Sequence, residues 1–520
     1  MDMTATYEKR ILPDFYFKVM IGGSQEQFAA ENFYGQKMDL IDPELTQIDA
    51  ATGDMSVGGS KTEWAMRSFF ARVNLSWRDR YLLEFNVRRD GSSRFVGKNR
   101  WGNFPSASAA WRISEEPFMH SFRGKWLESL KLRLSYGSLG NNSIGDYETI
   151  PTMSLQKYVL GGHPELGVIQ RAIKNPSLTW ETTSVSNIGL DFGLLKNRLS
   201  GSVDVYDKFT RDILISLPAP DVLGRASVPT QNSAQVLNQG IELNVAWKDN
   251  IKDFNYFANI NLTCNRNKVV KFKGDTYSLS GINMIKEGLP INTGYMLQVD
   301  RIVETQADLD LIQDMCDKAR NAAGKKINPF PYGRPELGDF LYRDTNHDGL
   351  VNDNDRVNVG SGSNPRFFYS FSFGVGYKGF DASVFIDGVG GIKGYFQNTY
   401  YTPVLRFTRL VNKEIADGRW YKGRETPATY PRLLYDGNKR NIMASDFWYQ
   451  DRSFLKIRNV QLGYTLPENL SSKVSISRLR LYAGLENYFT FTKWKGLDPE
   501  VDGMGYPSMK QMVFGVNLTF

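Results

Sequence analysis

The stretch from Asp344 to Asp355 carries the residue types best suited to chemistry in this sequence, reading Asp-Thr-Asn-His-Asp-Gly-Leu-Val-Asn-Asp-Asn-Asp. Oxygen-bearing side chains fall at Asp344, Asn346, Asp348, Asn352 and Asp355, with Gly349 placed for a sharp turn and Leu350 offering a backbone carbonyl. That is the spacing of a calcium loop, with Asp355 where an EF-hand has its bidentate Glu. Hard oxygen ligands of this kind suit Ca2+ better than zinc or copper. A bound ion would rigidify the loop, since no catalytic group lies beside it in the sequence. The same residues also make an Asx-rich turn that needs no ion, because Asn and Asp side chains bond the backbone two residues on.

Other chemistry is poorly represented. The histidines His120, His163 and His347 are isolated, and neither a His-Glu-x-x-His pair nor a nucleophile elbow occurs. Gly91 to Asn99 ends in Gly97-Lys98 but has the wrong spacing for a phosphate-binding loop, with Asn99 where Ser or Thr is needed. No local motif proposes a sugar-cleaving pair of carboxylates. Cys264 and Cys316 make no disulfide framework. The charge of +7 is spread without a basic block, which argues against nucleic acid as a partner. Tyr395, Phe396, Tyr400, Tyr401, Trp420 and Tyr421 could stack on sugar rings, or equally form a rim or a partner interface. The expectation is a protein that binds or moves something, not an enzyme.

What would position these residues is a set of strands. Gly, Tyr and Phe are plentiful, and aromatic residues favour strands while Gly favours turns. Period-two alternation recurs along the chain: Phe69, Ala71, Val73, Leu75 and Trp77 oppose Phe70, Arg72, Asn74 and Ser76. Tyr81, Leu83, Phe85 and Val87 alternate in the same way, as do Tyr256 to Leu262 and Tyr369 to Val375. In the last strand Met512, Phe514, Val516, Leu518 and Phe520 share one face. No run of about 18 apolar residues is present, so a transmembrane helix is excluded. The mean hydropathy of −0.39 decides nothing, because every second residue of a barrel strand faces a polar lumen.

The connections separate a sandwich from a membrane barrel. About fourteen strands are legible, each near the ~10 residues that cross a bilayer at a tilt. Long connections over 21–63, 139–179, 265–365 and 390–452 alternate with short ones such as Trp77 to Tyr81 and Tyr377 to Phe380. A membrane barrel alternates in this way, with short periplasmic turns and long extracellular loops. The fold expected is therefore all-β, an antiparallel transmembrane β-barrel.

Several segments then resemble the SusC/RagA family of TonB-linked outer-membrane transporters. They include Arg67 to Trp77, Asp79 to Glu84, Asp90 to Phe95, Arg100 to Met119 and Leu130 to Tyr147. The similarity continues through Asn175 to Thr183, Gly189 to Leu214, Asn238 to Val245, Ser453 to Pro467 and Leu481 to Glu500. The resemblance implies a ~22-stranded barrel closed by a plug. With Met1 to Arg10 polar and no plug or TonB box in view, the chain is expected to be the C-terminal part of such a barrel, residues 1–520 lacking the plug and first strands. It also implies import of oligosaccharides or peptides across the outer membrane of a Gram-negative, Bacteroidetes-like cell. The expected partners are a SusD-like surface lipoprotein, the TonB complex acting through the plug region, and outer-membrane lipid. A passive porin-like barrel and a soluble β-rich glycan-binding protein are the alternatives.

Overall fold

The computed structural model describes all residues except 171–172, 217–228, 274–276, 280–281, 321–323, 361, 397–403, 406–410, 436–438, 472–475 and 502–504. Its main element is a 15-stranded sheet in which each strand pairs with its neighbours in sequence. The strands are β1 (Asp2–Leu12), β2 (Phe15–Lys37), β3 (Met55–Trp77), β4 (Tyr81–Ser92), β5 (Trp101–Arg112) and β6 (Leu127–Asn141). There follow β7 (Glu181–Leu194), β8 (Leu199–Ser216), β9 (Thr230–Ile251) and β10 (Phe254–Phe272). The last five are β11 (Phe367–Tyr377), β12 (Phe380–Gly390), β13 (Phe454–Thr465), β14 (Arg478–Thr492) and β15 (Gln511–Thr519).

By packing, the chain divides into two compact units: Met1–His120, Leu130–Gly189 and Tyr206–Leu237 in one, and Ser121–Ser129, Leu190–Val205 and Asn238–Phe520 in the other.

Register carries the alternation from strand to strand. Leu75 pairs with Leu83 and Val73 with Phe85, while Asn74 pairs with Glu84 and Arg72 with Asn86. One face is thereby kept apolar and the other polar, because a one-residue slip would invert every side chain. The polar face is cross-linked, with Arg72 Nε donating to Asn86 Oδ1 at 2.6 Å and Asn261 Nδ2 to Ser370 Oγ at 3.1 Å. The apolar face is open to its surroundings: Met512, Phe514 and Val516 on β15 are 59%, 79% and 58% exposed.

Two expectations need correction. Among the described residues the sheet holds one strand more than the fourteen anticipated, because Asp2–Leu12 is also a strand. Its backbone pairs with β2 from Asp2↔Ser24 to Arg10↔Tyr16, and Met3, Ala5, Tyr7 and Ile11 alternate with Thr4, Thr6, Glu8 and Arg10. Strands also run further into the connections than expected. β2 and β3 are 23 residues each, roughly 75 Å at the rise of an extended chain. The expected loop at 21–63 is therefore mostly a hairpin, whose turn occupies 38–54. Sequence patterns locate the regularly alternating part of a strand and miss an extension such as Gln25 to Lys37, where Phe28, Phe33 and Tyr34 do not keep to one face.

The two hydrophobic clusters lie under connections. One gathers Phe95, Phe104, Ile144, Leu178 and Trp180. The other gathers residues of 297–351 with Trp448.

An apolar sheet face with this exposure sets an expected outcome in a bilayer. Val384→Arg, on the apolar face of β12 and paired with Phe373 further in from the short turn, should cost about 2–4 kcal/mol, whereas Ser383→Arg on the polar face should cost under about 1 kcal/mol. The heat-induced mobility shift of the folded protein on semi-native gels, measured for both variants, checks this.

Candidate functional site

The long connections after β10 and after β12 fold together on the second unit. Helix α1 (Gln306–Lys318) starts at Thr305, whose hydroxyl accepts from the Asp308 N–H while Asp308 returns a bond to the Thr305 N–H. This capping box satisfies two donors that a helix start leaves open. Ile312 on α1 packs with Val303, Phe340, Leu341 and Trp448, so segments distant in sequence share one core.

A buried carboxylate fastens the two connections. Asp339, 1% exposed, accepts from Arg432 Nε at 2.7 Å, Arg440 Nη1 at 2.6 Å and Asn441 Nδ2 at 3.0 Å. Asn441 in turn accepts from the Phe340 N–H, and the Tyr342 hydroxyl donates to the Arg440 carbonyl at 2.7 Å. Burial pushes the Tyr342 hydroxyl well above its usual range, so it remains a donor at physiological pH. The hub spans 101 residues from Asp339 to Arg440 and leaves no local motif to read.

The 344–355 loop follows directly on the Phe340–Tyr342 strand of this core. Asp344 Oδ2 accepts from the Gly349 N–H at 2.8 Å, an approach that the positive φ of Gly349 (80°) allows. Asp344 Oδ1 is buried and has no hydrogen-bond partner. Asn346 Oδ1 accepts from the Asp348 N–H, and Asp348 Oδ1 from the Leu350 N–H. Asp355 is fully buried, with Oδ1 taking the Thr345 N–H at 2.8 Å and Oδ2 the Asn352 N–H at 2.7 Å. Asn352 caps the short 3-10 turn Asp353–Asp355. Thus Asp344, Asn346, Asp348, Leu350, Asn352 and Asp355 lie on one compact loop, tied to the core by buried Val351. Among the described residues, however, no three Asp, Glu, His or Cys side chains form a group that could hold a metal.

The aromatic residues singled out in the sequence divide. Phe396 is buried with its ring edge-on to Trp494 at 4.8 Å, which leaves it no free face, and Tyr395 is half-buried against the core. Tyr421 is exposed and lies under Arg419 and Arg424. Tyr400 and Tyr401 fall outside the described residues.

A second network was not legible in the sequence. Lys456, on the polar face of β13, is 2% exposed and donates to Asp498 Oδ1 at 2.7 Å and Glu500 Oε2 at 2.6 Å. Arg458 bridges Glu500 and Asp387. Arg452 Nε donates to the Pro499 carbonyl. The connection between β14 and β15 is thereby fastened to the sheet wall. At Asp498, burial works against the charged form. It is outweighed by the Lys456 ammonium and by the Glu500 and Ser508 N–H groups, which hold the carboxyl well below the usual range.

A depressed carboxyl contributes stability that is present above its unfolded value near pH 4 and is lost as pH falls towards the folded value. Protection of this connection in hydrogen exchange should therefore hold at neutral pH and weaken progressively below about pH 4. Lys456→Met leaves Asp498 buried without its cation and should destabilise the connection by about 3 kcal/mol at pH 7. Unchanged exchange in this variant would show that the backbone donors alone suffice.

The comparisons with known proteins agree with this architecture. Residues 5–300 match the family described as TonB dependent receptor-like, beta-barrel. TonB-dependent receptor P39 of Formosa agariphila is 31% identical over 89% of this chain and 47% of its own length. TonB-dependent receptor SusC of Bacteroides thetaiotaomicron is 28% identical over 97% of this chain and 48% of its own. The structure of the RagAB peptide transporter aligns with a TM-score of 0.80 at 25% identity, covering all of this chain and 55% of that one. The chain spans about half the length of the curated relatives it matches. These relatives are receptors and transporters, not enzymes, and their barrels belong to the outer membrane. The polar and apolar faces of the sheet, its consecutive antiparallel order and the family match together place this chain among the TonB-dependent receptor β-barrels of the SusC kind.

Proposed function

We propose that this chain is the barrel portion of an energy-dependent importer that takes oligosaccharides or peptides across the outer membrane. The observation that carries the reading is the sheet itself, with a cross-linked polar face on one side and an exposed apolar face on the other. The apolar face meets lipid and the polar face lines the path of a hydrophilic ligand. A SusD-like surface lipoprotein is the proposed partner on the side of the long connections, where the Asp339 hub gives those connections a fixed shape. TonB acts from the periplasm on a plug, for which the relatives' greater length leaves room. No bond is made or broken; the ligand is captured, the plug moves and the ligand is released.

The test is uptake of fluorescently labelled oligosaccharides and peptides by cells carrying the receptor, with and without TonB. Import of one class that disappears on deletion of TonB is the expected result. Import that persists without TonB overturns energy coupling and favours a passive barrel.

We also propose that the 344–355 loop takes a structural Ca2+. Support comes from the buried Asp344 Oδ1, which lacks a hydrogen-bond donor in a loop of calcium-binding spacing. Calcium should protect the loop from proteolysis relative to EGTA, and Asp344→Ala should abolish the difference. Equal protection in calcium and EGTA for the parent protein would overturn the proposal and leave the loop as an Asx-rich turn.

A further inference from the structure

The apolar face of the sheet is not uniform. Near the short turn joining β11 and β12 it carries a hollow of about 520 Å3. Register explains the shape. Tyr377 pairs with Phe380 and Phe380 with Tyr464, forming an aromatic row at the turn end. One row further along, Ala382 pairs with Leu462 and Leu462 with Ala483. The two alanines set the wall back beside the large rings, and the Phe380 and Tyr464 rings lie 4.4 Å apart along the edge of the recess.

A cation stands at the rim. The turn places Lys378 and Gly379 at φ 46° and 89°, the left-handed pair that closes a tight hairpin. The Lys378 ammonium lies 5.3 Å from the centroid of the Tyr377 ring, and Tyr377 lines the hollow. Asp381 also lines the hollow, and its carboxylate is neutralised by Arg480, whose Nε donates to it at 2.9 Å. An apolar recess one row deep with an ammonium above its aromatic edge is complementary to an amphiphile bearing an acyl chain and an anionic head. Short turns of outer-membrane barrels lie at the periplasmic side, where the leaflet is phospholipid.

We propose that this recess is a binding site for a phospholipid of the periplasmic leaflet, with one acyl chain against Ala382 and Ala483 and the phosphate on Lys378. This goes beyond the transport reading and shares with it only the membrane location. Lipid held here would fix the depth at which β11 to β14 sit in the bilayer, as aromatic and cationic groups at an interface do.

The experiment is native mass spectrometry of the full-length receptor purified from outer membranes, after exchange into a mild detergent, counting retained phosphatidylethanolamine and phosphatidylglycerol. Ala382→Trp fills the recess, Lys378→Glu reverses the charge beside it, and Val87→Trp adds the same bulk to the apolar face of β4, away from the recess. The expected result is one retained phospholipid in the parent and in Val87→Trp, with loss of most of that population in Ala382→Trp and Lys378→Glu. Recovery of all variants from the membrane fraction separates a failed lipid site from a failed membrane reading. Equal phospholipid retention in all four proteins, none in the parent, or retention of lipopolysaccharide in its place would each overturn the proposal.

Discussion

A peptide backbone placed against hydrocarbon has no water to satisfy its N–H and C=O groups, and each one left open costs several kcal/mol. The main sheet answers this by pairing every strand with its neighbours in sequence, from β1 to β15. Once that pairing is imposed, the side chains have two sides available and divide between them with period two. The long strands and the tight turns between them are consequences of this arrangement.

The connections obey different rules, because they stand in water and must build their own cores. The segment around α1 does so by gathering Ile312, Phe340 and Trp448 from distant parts of the chain. Burying polar groups there requires that they be paired, which Asp339, Arg432, Arg440 and Asn441 accomplish together. Lys456 and Asp498 do the same where a later connection meets the sheet wall. These buried charge clusters set which connections stay in place.

The apolar face has its own texture. Alternation requires only that the residues be apolar, yet Ala382 and Ala483 stand where most neighbours are large. The hollow they leave and the ammonium of Lys378 above it are local features on a surface otherwise defined by average hydrophobicity. The same holds on the polar face, where the pairing of Arg72 with Asn86 makes a specific ladder from residues that need only be polar.

Strand class, strand number to within one, the sidedness of the faces and the family were legible in the sequence. All of them follow from a periodicity or a motif contained within a few residues. Phe69 to Trp77 declares its strand alone, as does Asp344 to Asp355 its turn. β1 was missed although Met3, Ala5, Tyr7 and Ile11 alternate with Thr4, Thr6, Glu8 and Arg10, because the charged residues of the segment were weighed above its period. The 23-residue lengths of β2 and β3 were missed because solvated strand ends carry no alternation. The Asp339 hub, the Lys456–Asp498 pair and the recess at Ala382 were decided only in three dimensions. Each joins groups that are far apart in sequence, and the energy of a buried charge or a recess depends on neighbours that folding alone brings together.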